Sequence, residues 1–204
     1  MSAITYYDNL ESPLGELLIH SDGQFVTGLY MPQHTRSREV HASWQRADAP
    51  FATVRRQLAE YFAGQRHTFD VPLKLVGTPF QRRVWQELVH IPFGSTITYA
   101  ELAKRIGQPT ASRGVGHANG RNPISILVPC HRVIGSNGKL TGYAGGLVNK
   151  QRLLELERSA LASEQHSLHS RLGLSAESYR SNSSTPRQKP GVINSTRFSS
   201  GSRK

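Results

Sequence analysis

Thr98-Tyr99-Ala100-Glu101-Leu102-Ala103-Lys104-Arg105-Ile106-Gly107-Gln108-Pro109-Thr110-Ala111-Ser112-Arg113-Gly114-Val115-Gly116-His117-Ala118-Asn119 carries two helix signals in succession. Thr98 with Glu101 three residues on reads as a capping box, so a helix is predicted from Tyr99 to Ile106. Gly107 and Pro109 stop it, and Thr110 can cap a second helix reaching about Asn119. Two short helices across a brief glycine-containing turn form the helix-turn-helix pattern. The same pattern occurs in proteins that never touch DNA. On the second helix Ala111, Val115 and Ala118 share one face, while Arg113 lies roughly opposite and points outward. Gly114 and Gly116 flank that arginine and leave the backbone bare, each at a cost of about 1 kcal/mol of helix stability. A bare backbone lets another surface come close. That surface can be nucleic acid, with Arg113 reaching phosphate or base, or it can be a neighbouring helix. Tyr99 shares a side with Leu102, Ala103 and Ile106, which favours a core position, although its hydroxyl can reach a site beside the helix start.

Upstream, Thr78-Pro79-Phe80-Gln81 has a cap, a proline at the first helical position and a glutamine at the third. It predicts a helix to about His90 with Phe80, Val84, Trp85 and Leu88 inward. Earlier, Ile4 and Tyr6, then Leu17 and Ile19, alternate as half-buried strands, and Ser21-Asp22-Gly23 turns the chain into a third strand over Phe25–Tyr30. Residues 32–49 are polar and irregular. Pro50 opens a helix through Phe62, with Val54, Leu58, Tyr61 and Phe62 on one face and Gly64 at its stop. Downstream, residues 121–146 are rich in Gly and Pro. Their apolar run, Ile124–Val128, predicts a strand or extended segment ending at Pro129. A helix is predicted from Leu147 to about Leu161. From Ser163 onward twelve serines, few large apolar residues and scattered basic charge predict disorder. The fold class is therefore α+β. A small N-terminal antiparallel sheet with a helix (1–77) precedes a mainly helical, winged-helix-like domain with the helix-turn-helix (78–162), and a basic, largely disordered tail follows (163–204).

The 204 residues suffice for one large domain or two small ones with a real core. No apolar run approaches bilayer length, and the N-terminus lacks the basic-then-apolar order of a secretory signal, so an intracellular, non-secreted protein is expected. A single cysteine excludes an intramolecular disulfide and a cysteine-built zinc site. The nine histidines form no pair at metal-ligand spacing with an acidic partner, so neither a metal nor another cofactor is expected. The net charge of +11 suggests a polyanionic partner, usually nucleic acid. Residues 161–204 supply only +5 of it, so the body of the chain is basic too.

Pro129-Cys130-His131-Arg132-Val133 is the stretch richest in chemistry. A cysteine attacks as the thiolate and needs a base or positive surroundings. His131 is adjacent, but neighbours on an extended segment point to opposite sides, so contact requires a bend or a bridging water. A lone cysteine is more often an inert buried thiol. Glu157 weighs against that. On a helix at about 100° per residue, Leu153, Leu154, Ala160 and Leu161 lie within about 60° of it, so its carboxylate projects from the apolar face. A buried carboxylate needs donors, and His131 is the candidate. Glu157, His131 and Cys130 would then be orienter, base and nucleophile. If that helix end is exposed, Glu157 is merely solvated.

Together these residues closely resemble the O6-alkylguanine-DNA alkyltransferases, the methylated-DNA–protein cysteine methyltransferases. The resemblance is strongest over Thr78 to about Glu157. It rests on Thr78-Pro79-Phe80-Gln81, Ile91-Pro92-Phe93-Gly94, Arg121-Asn122-Pro123, Ile126-Leu127-Val128-Pro129-Cys130-His131-Arg132-Val133 and Gly142-Tyr143-Ala144-Gly145-Gly146-Leu147. Residues before Thr78 fit more loosely, as the family's variable small α/β domain, and the tail has no recognised counterpart.

The resemblance implies direct-reversal repair, in which an alkyl group passes irreversibly, once per protein, from O6-alkylguanine in double-stranded DNA to Cys130. O4-alkylthymine is a further candidate substrate. His131, through a water, would take the thiol proton, and Glu157 would orient His131. Asn122 would tie the helix-turn-helix to the active-site turn. Tyr99 would hydrogen-bond the flipped base and support its departure. Main-chain groups of Val133 and Ala144 would hold the base, with Tyr143 as a pocket wall. Arg113 would enter the stack from the minor groove, on a helix whose start, Thr110, Ala111 and Ser112, and whose Gly114 and Gly116 would lie against DNA. The resemblance also implies a monomer, with cooperative packing along DNA left open, located in the cytoplasm about the nucleoid or in a nucleus. Ser125 stands where some relatives carry proline, which bears on bulky alkyl groups, and the zinc-binding set of some relatives is missing. Three other readings compete: a lesion-binding module without chemistry, which Cys130 opposes; a cysteine hydrolase, which would need an oxyanion site; and a helix-turn-helix regulator, for which the Pro-Cys-His-Arg-Val stretch has no purpose.

Overall fold

The computed structural model describes residues 4–32 and 40–172. Strands β1 (Tyr6–Leu10), β2 (Leu17–Ser21) and β3 (Val26–Tyr30) form an antiparallel meander, and β4 (Gln45–Arg46) pairs in parallel with β1, giving the order β3-β2-β1-β4. Ile4 lies outside the first strand and is exposed. Two-residue β4 carries no periodicity, and the sequence reading missed it. Asp8 fixes it in place: its carboxylate accepts from Arg46 Nε at 3.0 Å and from Arg55 Nη2 at 2.6 Å, tying β4 and helix α1 (Ala52–Phe62) to β1. A 3-10 turn over Ala49–Phe51 leads into α1, which buries Val54, Leu58 and Tyr61.

Strand β3 would be an open edge, a hazard for aggregation, but the rest of the chain covers it. The Val26 amide donates to Pro72 O and Lys74 N donates to Val26 O, at 2.9 and 3.0 Å. Further along, Leu29 N donates to Pro123 O at 2.8 Å and Leu29 O accepts from Ser125 N at 2.9 Å. The edge of the N-terminal sheet thus clasps the turn that leads to Cys130. One hydrophobic core runs through both halves, joining Leu17 and Leu29 to Trp85, Val128 and Val133.

Helix α2 (Pro79–Leu88) has the full capping box, with Gln81 N on Thr78 Oγ1 at 3.2 Å and Thr78 N on Gln81 Oε1 at 2.9 Å. Strand β5 (Ile97–Thr98) pairs in parallel with β6 (Val133–Ile134) and leads into α3 (Tyr99–Arg105). Thr98 caps α3 through the Glu101 amide, but the Glu101 carboxylate takes Arg105 Nε at 3.2 Å, so half of the predicted box forms. Helix α4 (Ser112–Asn119) starts after Ala111, and Thr110 does not cap it. The turn closes on itself, Ala111 N to Gln108 O at 2.9 Å, which leaves Thr110 exposed. Trp85 Nε1 donates to Ala118 O at 2.8 Å, seating α4 on α2.

Helix α5 spans Leu147–Arg171, past the stop predicted near Leu161, so the start of the segment predicted to be disordered is helical. Ala160, Leu161 and Ala162 are strong helix formers, and the serines that follow cost little each. The remainder of that segment, 173–204, lies outside the described residues. Residues 1–165 form one compact unit; residues 166–204 form a second, described as far as Leu172. Among the described residues no helix is long and apolar enough to cross a membrane.

Candidate active site

The stretch before Cys130, predicted as a strand or extended segment, is a pair of tight turns. Leu127 N donates to Ser125 O at 2.8 Å around Ile126, whose φ is 69°; this is a γ-turn with positive φ. Cys130 N donates to Val128 O at 2.8 Å around Pro129, with φ −80° and ψ 62°, an inverse γ-turn. A 3-10 turn over Cys130–Arg132 follows at once. Proline fixes the φ that the second turn needs. A β-branched residue at positive φ costs about 1–3 kcal/mol and persists only where its surroundings over-determine it. Those surroundings are β3 on one side and Asn122 on the other. Asn122 is buried; its Oδ1 accepts from Ile124 N at 3.0 Å, and its Nδ2 lies 2.8 Å from Val128 O and 3.0 Å from Cys130 Sγ. Asn119, at the end of α4, donates to Cys130 O at 3.2 Å, a link absent from the sequence reading.

Cys130 is 3 % exposed. Burial pushes its thiol up to about 11, against the opposing pull of the Asn122 amide and the Lys150 charge. The resting sulfur is therefore a neutral thiol at neutral pH, and it must lose its proton as the reaction proceeds. His131 is fully buried, and its Nε2 lies 2.7 Å from Glu157 Oε1. Since Glu157 accepts, the imidazole proton sits on Nε2 and leaves a lone pair on Nδ1, which has no partner among the described residues. Burial lowers the His131 pKa against the bond and charge of Glu157, so the ring is a neutral base at pH 7.

Glu157 projects from α5 into the core, 0 % exposed, with donors from four residues on three segments. Oε1 accepts from His131, from Tyr61 Oη of α1 at 2.8 Å and from Arg132 Nη2 at 2.9 Å; Oε2 accepts from Gly94 N at 2.9 Å and Arg132 Nε at 3.1 Å. Burial raises this carboxyl, but the His131 bond and the Arg132 guanidinium outweigh it and bring it to about 2. The helix geometry of the sequence predicted the approach of Glu157 to His131. It missed Arg132, which as a buried charge also donates to Ile91 O at 2.6 Å, and Tyr61, which had been assigned only to a helix face.

Around Cys130 stand Tyr99, Tyr143 and Lys150. Tyr99 Oη donates to Thr141 O at 3.0 Å, with Gly142 O at 3.4 Å, so its hydroxyl turns toward the loop after β6 and not into the core. Tyr143 is buried, and Ala144 beside it is half-buried. The Val133 carbonyl accepts from Lys150 Nζ at 2.6 Å, and Nζ also donates to Thr141 O at 2.7 Å. Burial brings Lys150 down to about 8. A lysine on a polar helix start gave no signal of this; the apolar neighbours that would mark it come from other segments. Among the described residues no group of three His, Cys, Asp or Glu side chains is arranged to hold a metal ion.

On α4, Val115, Ala118 and Asn119 are buried, while Arg113 and Gly114 are exposed and Ser112 and Ala111 are half-buried. A Cβ added at Gly114 would meet the Phe80 ring at 3.4 Å, and one at Gly116 would meet the Tyr99 ring at 3.7 Å. Internal packing therefore leaves room for alanine at both.

Residues 5–75 match the model of the 6-O-methylguanine DNA methyltransferase ribonuclease-like domain, and residues 79–159 match that of the 6-O-methylguanine DNA methyltransferase DNA binding domain. The chain is 51% identical over 154 residues, 76% of its length and 99% of the relative's, to the methylated-DNA–protein-cysteine methyltransferase of Methanosarcina acetivorans. Its structure is similar to Mycobacterium tuberculosis OGT in complex with DNA, with a TM-score of 0.72 and 50% identity over 76% of this chain and 94% of that one. The O6-methylguanine-DNA methyltransferase of Pyrococcus kodakaraensis aligns with a TM-score of 0.51 at 27% identity, over 76% of this chain and 99% of that one. With an α+β fold, a lone cysteine in a Pro-Cys-His-Arg-Val turn and matches of this extent, the chain belongs to the 6-O-methylguanine DNA methyltransferase family.

Proposed function

We propose that this protein repairs double-stranded DNA by moving an alkyl group, methyl above all, from O6 of guanine to Cys130 Sγ. The observation that carries the reading is the buried pair Glu157–His131, whose Nδ1 has no partner among the described residues and whose chain neighbour is the only cysteine. A water between Nδ1 and the thiol passes the proton to His131, Glu157 stabilises the imidazolium, and the thiolate displaces guanine from the alkyl carbon. An S–C bond forms as the C–O6 bond breaks, and the electron pair leaves with the base. Tyr99 supports that departure by hydrogen-bonding the base. The thioether is a poor leaving group, so each protein acts once.

The target base is inside a duplex and must be rotated out, at a cost of a few kcal/mol that is lower for a damaged pair. Exposed Arg113 fills the space left behind, and the bare Gly114 and Gly116 let α4, with Thr110, Ala111 and Ser112 at its start, approach the minor groove. The Val133 carbonyl is shared with Lys150 but has a second lone pair for the base, beside Ala144 and the Tyr143 wall. The chain acts as a monomer.

The test is incubation with duplex DNA containing O6-methylguanine, followed by mass analysis of tryptic peptides. One methyl group on the Cys130 peptide, at no more than one per protein, is expected. Multiple turnover with unmodified protein, or tight binding without modification, rejects the reading.

A further inference from the structure

We infer that Tyr61, a residue of the N-terminal α/β half, is a positioning residue of the transfer reaction, its hydroxyl setting the basicity of His131 through Glu157; this rests on the function proposed above. Tyr61 Oη and His131 Nε2 donate to the same oxygen, Glu157 Oε1, at 2.8 and 2.7 Å, across 96 residues of sequence in the case of Tyr61. Tyr61 is fully buried. Its ring is already held by Phe62, Phe69 and Phe93 at centroid distances of 5.4, 5.4 and 5.9 Å, so packing alone needs only a phenylalanine. The hydroxyl is a separate feature, and its one hydrogen-bond partner here is the carboxylate of the relay.

Two donors on one oxygen compete for its electron density. While Tyr61 donates, Oε1 draws less strongly on the His131 proton, and His131 stays neutral with Nδ1 open to accept. The charged groups that face His131 are Arg132 on its own turn and Lys150 and Glu157 on α5, and the neutral thiol of Cys130 is its chain neighbour. Burial, Arg132 and Lys150 oppose the imidazolium and Glu157 alone favours it, so a change in the strength of Glu157 as an acceptor moves the His131 titration. Of the two neutral donors besides His131 itself, the Gly94 amide bonds Oε2, and Tyr61 is the one that shares Oε1 with His131.

The experiment measures two quantities on the full chain, for wild type and Tyr61→Phe. One is the single-turnover rate of methyl transfer against pH. The other is the His131 titration by nitrogen NMR, which needs no activity. Tyr61→Phe is expected to raise the His131 titration and the acid limb of the rate profile together, by about half a pH unit or more, with duplex binding unchanged. A second variant keeps every contact: 3-fluorotyrosine placed at position 61 is a stronger donor and shifts both curves the opposite way. Unmoved curves in both variants, whatever happens to the melting temperature, overturn the inference. An absent methyl transfer in wild type refutes the proposed function instead, and the NMR titration then still decides on Tyr61.

Discussion

Between Asn122 and Val133 the chain ties down its polar groups inside the protein, His131 Nδ1 excepted: Asn122 bonds the turn it sits in, Asn119 takes the Cys130 carbonyl and Lys150 takes that of Val133. On the outer face of α4, Arg113 and Gly114 meet solvent. Both regions are short and both serve the same reaction, yet they spend stability in opposite ways. The turn holds strain at Ile126 and is over-determined by its neighbours so that one sulfur keeps one position. The helix gives up the stability that alanine would bring and keeps its backbone bare. A change in the turn should therefore affect both folding and chemistry, whereas a change on the helix face should weaken DNA binding and leave the chemistry as it is.

The sharpest break between the two comes at Cys130 itself. Cys130→Ser is expected to abolish transfer, by at least about a thousandfold, because a hydroxyl in this setting does not ionise. Duplex binding by α4 should be unchanged, and methyl transfer surviving in this variant ends the assignment. Glu157→Gln comes next. It leaves the buried Arg132 without its counter-charge, so a loss of about 3–5 kcal/mol in urea unfolding is expected along with slower transfer. It should also flatten the acid limb of stability. The wild-type carboxyl sits at about 2 against an ordinary 4.5, so its contribution is full above pH 4.5 and is lost as pH falls toward 2. Equal acid sensitivity in variant and wild type would show that the carboxylate is not what the low pH removes. Asn122→Ala follows, costing about 1–3 kcal/mol for the buried partners left unpaired and slowing transfer through loss of the turn. A stable variant with full transfer would mean that β3 holds the turn without Asn122.

The outer face behaves differently. Arg113→Ala should change stability by no more than about 0.5 kcal/mol, reduce repair of duplex DNA strongly and leave reaction with the free base O6-methylguanine untouched. Equal losses on duplex and free base would remove Arg113 from the stack-filling role.

What the sequence made legible divides along the same line. Periodicity and caps located α1, α2, α3 and the three main strands, because each buries a face of its own. The contact of Glu157 with His131 could be foreseen for the same reason: a carboxylate on an apolar stripe must find a donor. The turn was misread because Ile124–Val128 looks like a buried strand or extended segment by composition, and nothing in four apolar residues and a serine announces two γ-turns. Adjacency in sequence made His131 and Arg132 the candidates for the base or positive surroundings that a reactive thiol needs. Neither side chain bonds the sulfur, which takes only the main-chain amide of His131 from this pair. Arg132 is committed to Glu157 and Ile91, His131 turns its Nε2 to Glu157, and burial keeps the proton on sulfur. Tyr61, Asn119 and Lys150 were missed because their partners lie in other segments.

The smallest expected effect is the most exacting test of the contrast. Gly114→Ala and Gly116→Ala each add a methyl group that the interior accepts, at 3.4 Å from Phe80 and 3.7 Å from Tyr99. Alanine in a helix is worth about 1 kcal/mol over glycine, so each variant should melt at or slightly above the wild-type temperature. If the glycines exist for folding, activity should follow stability and rise or stay level. If they exist so that DNA can approach the backbone, duplex affinity falls while stability rises, and transfer from the free base stays as it was. The two quantities moving in opposite directions is the outcome the bare face of α4 predicts; their moving together would make Gly114 and Gly116 packing residues, and Arg113 would lose the setting that makes it a finger.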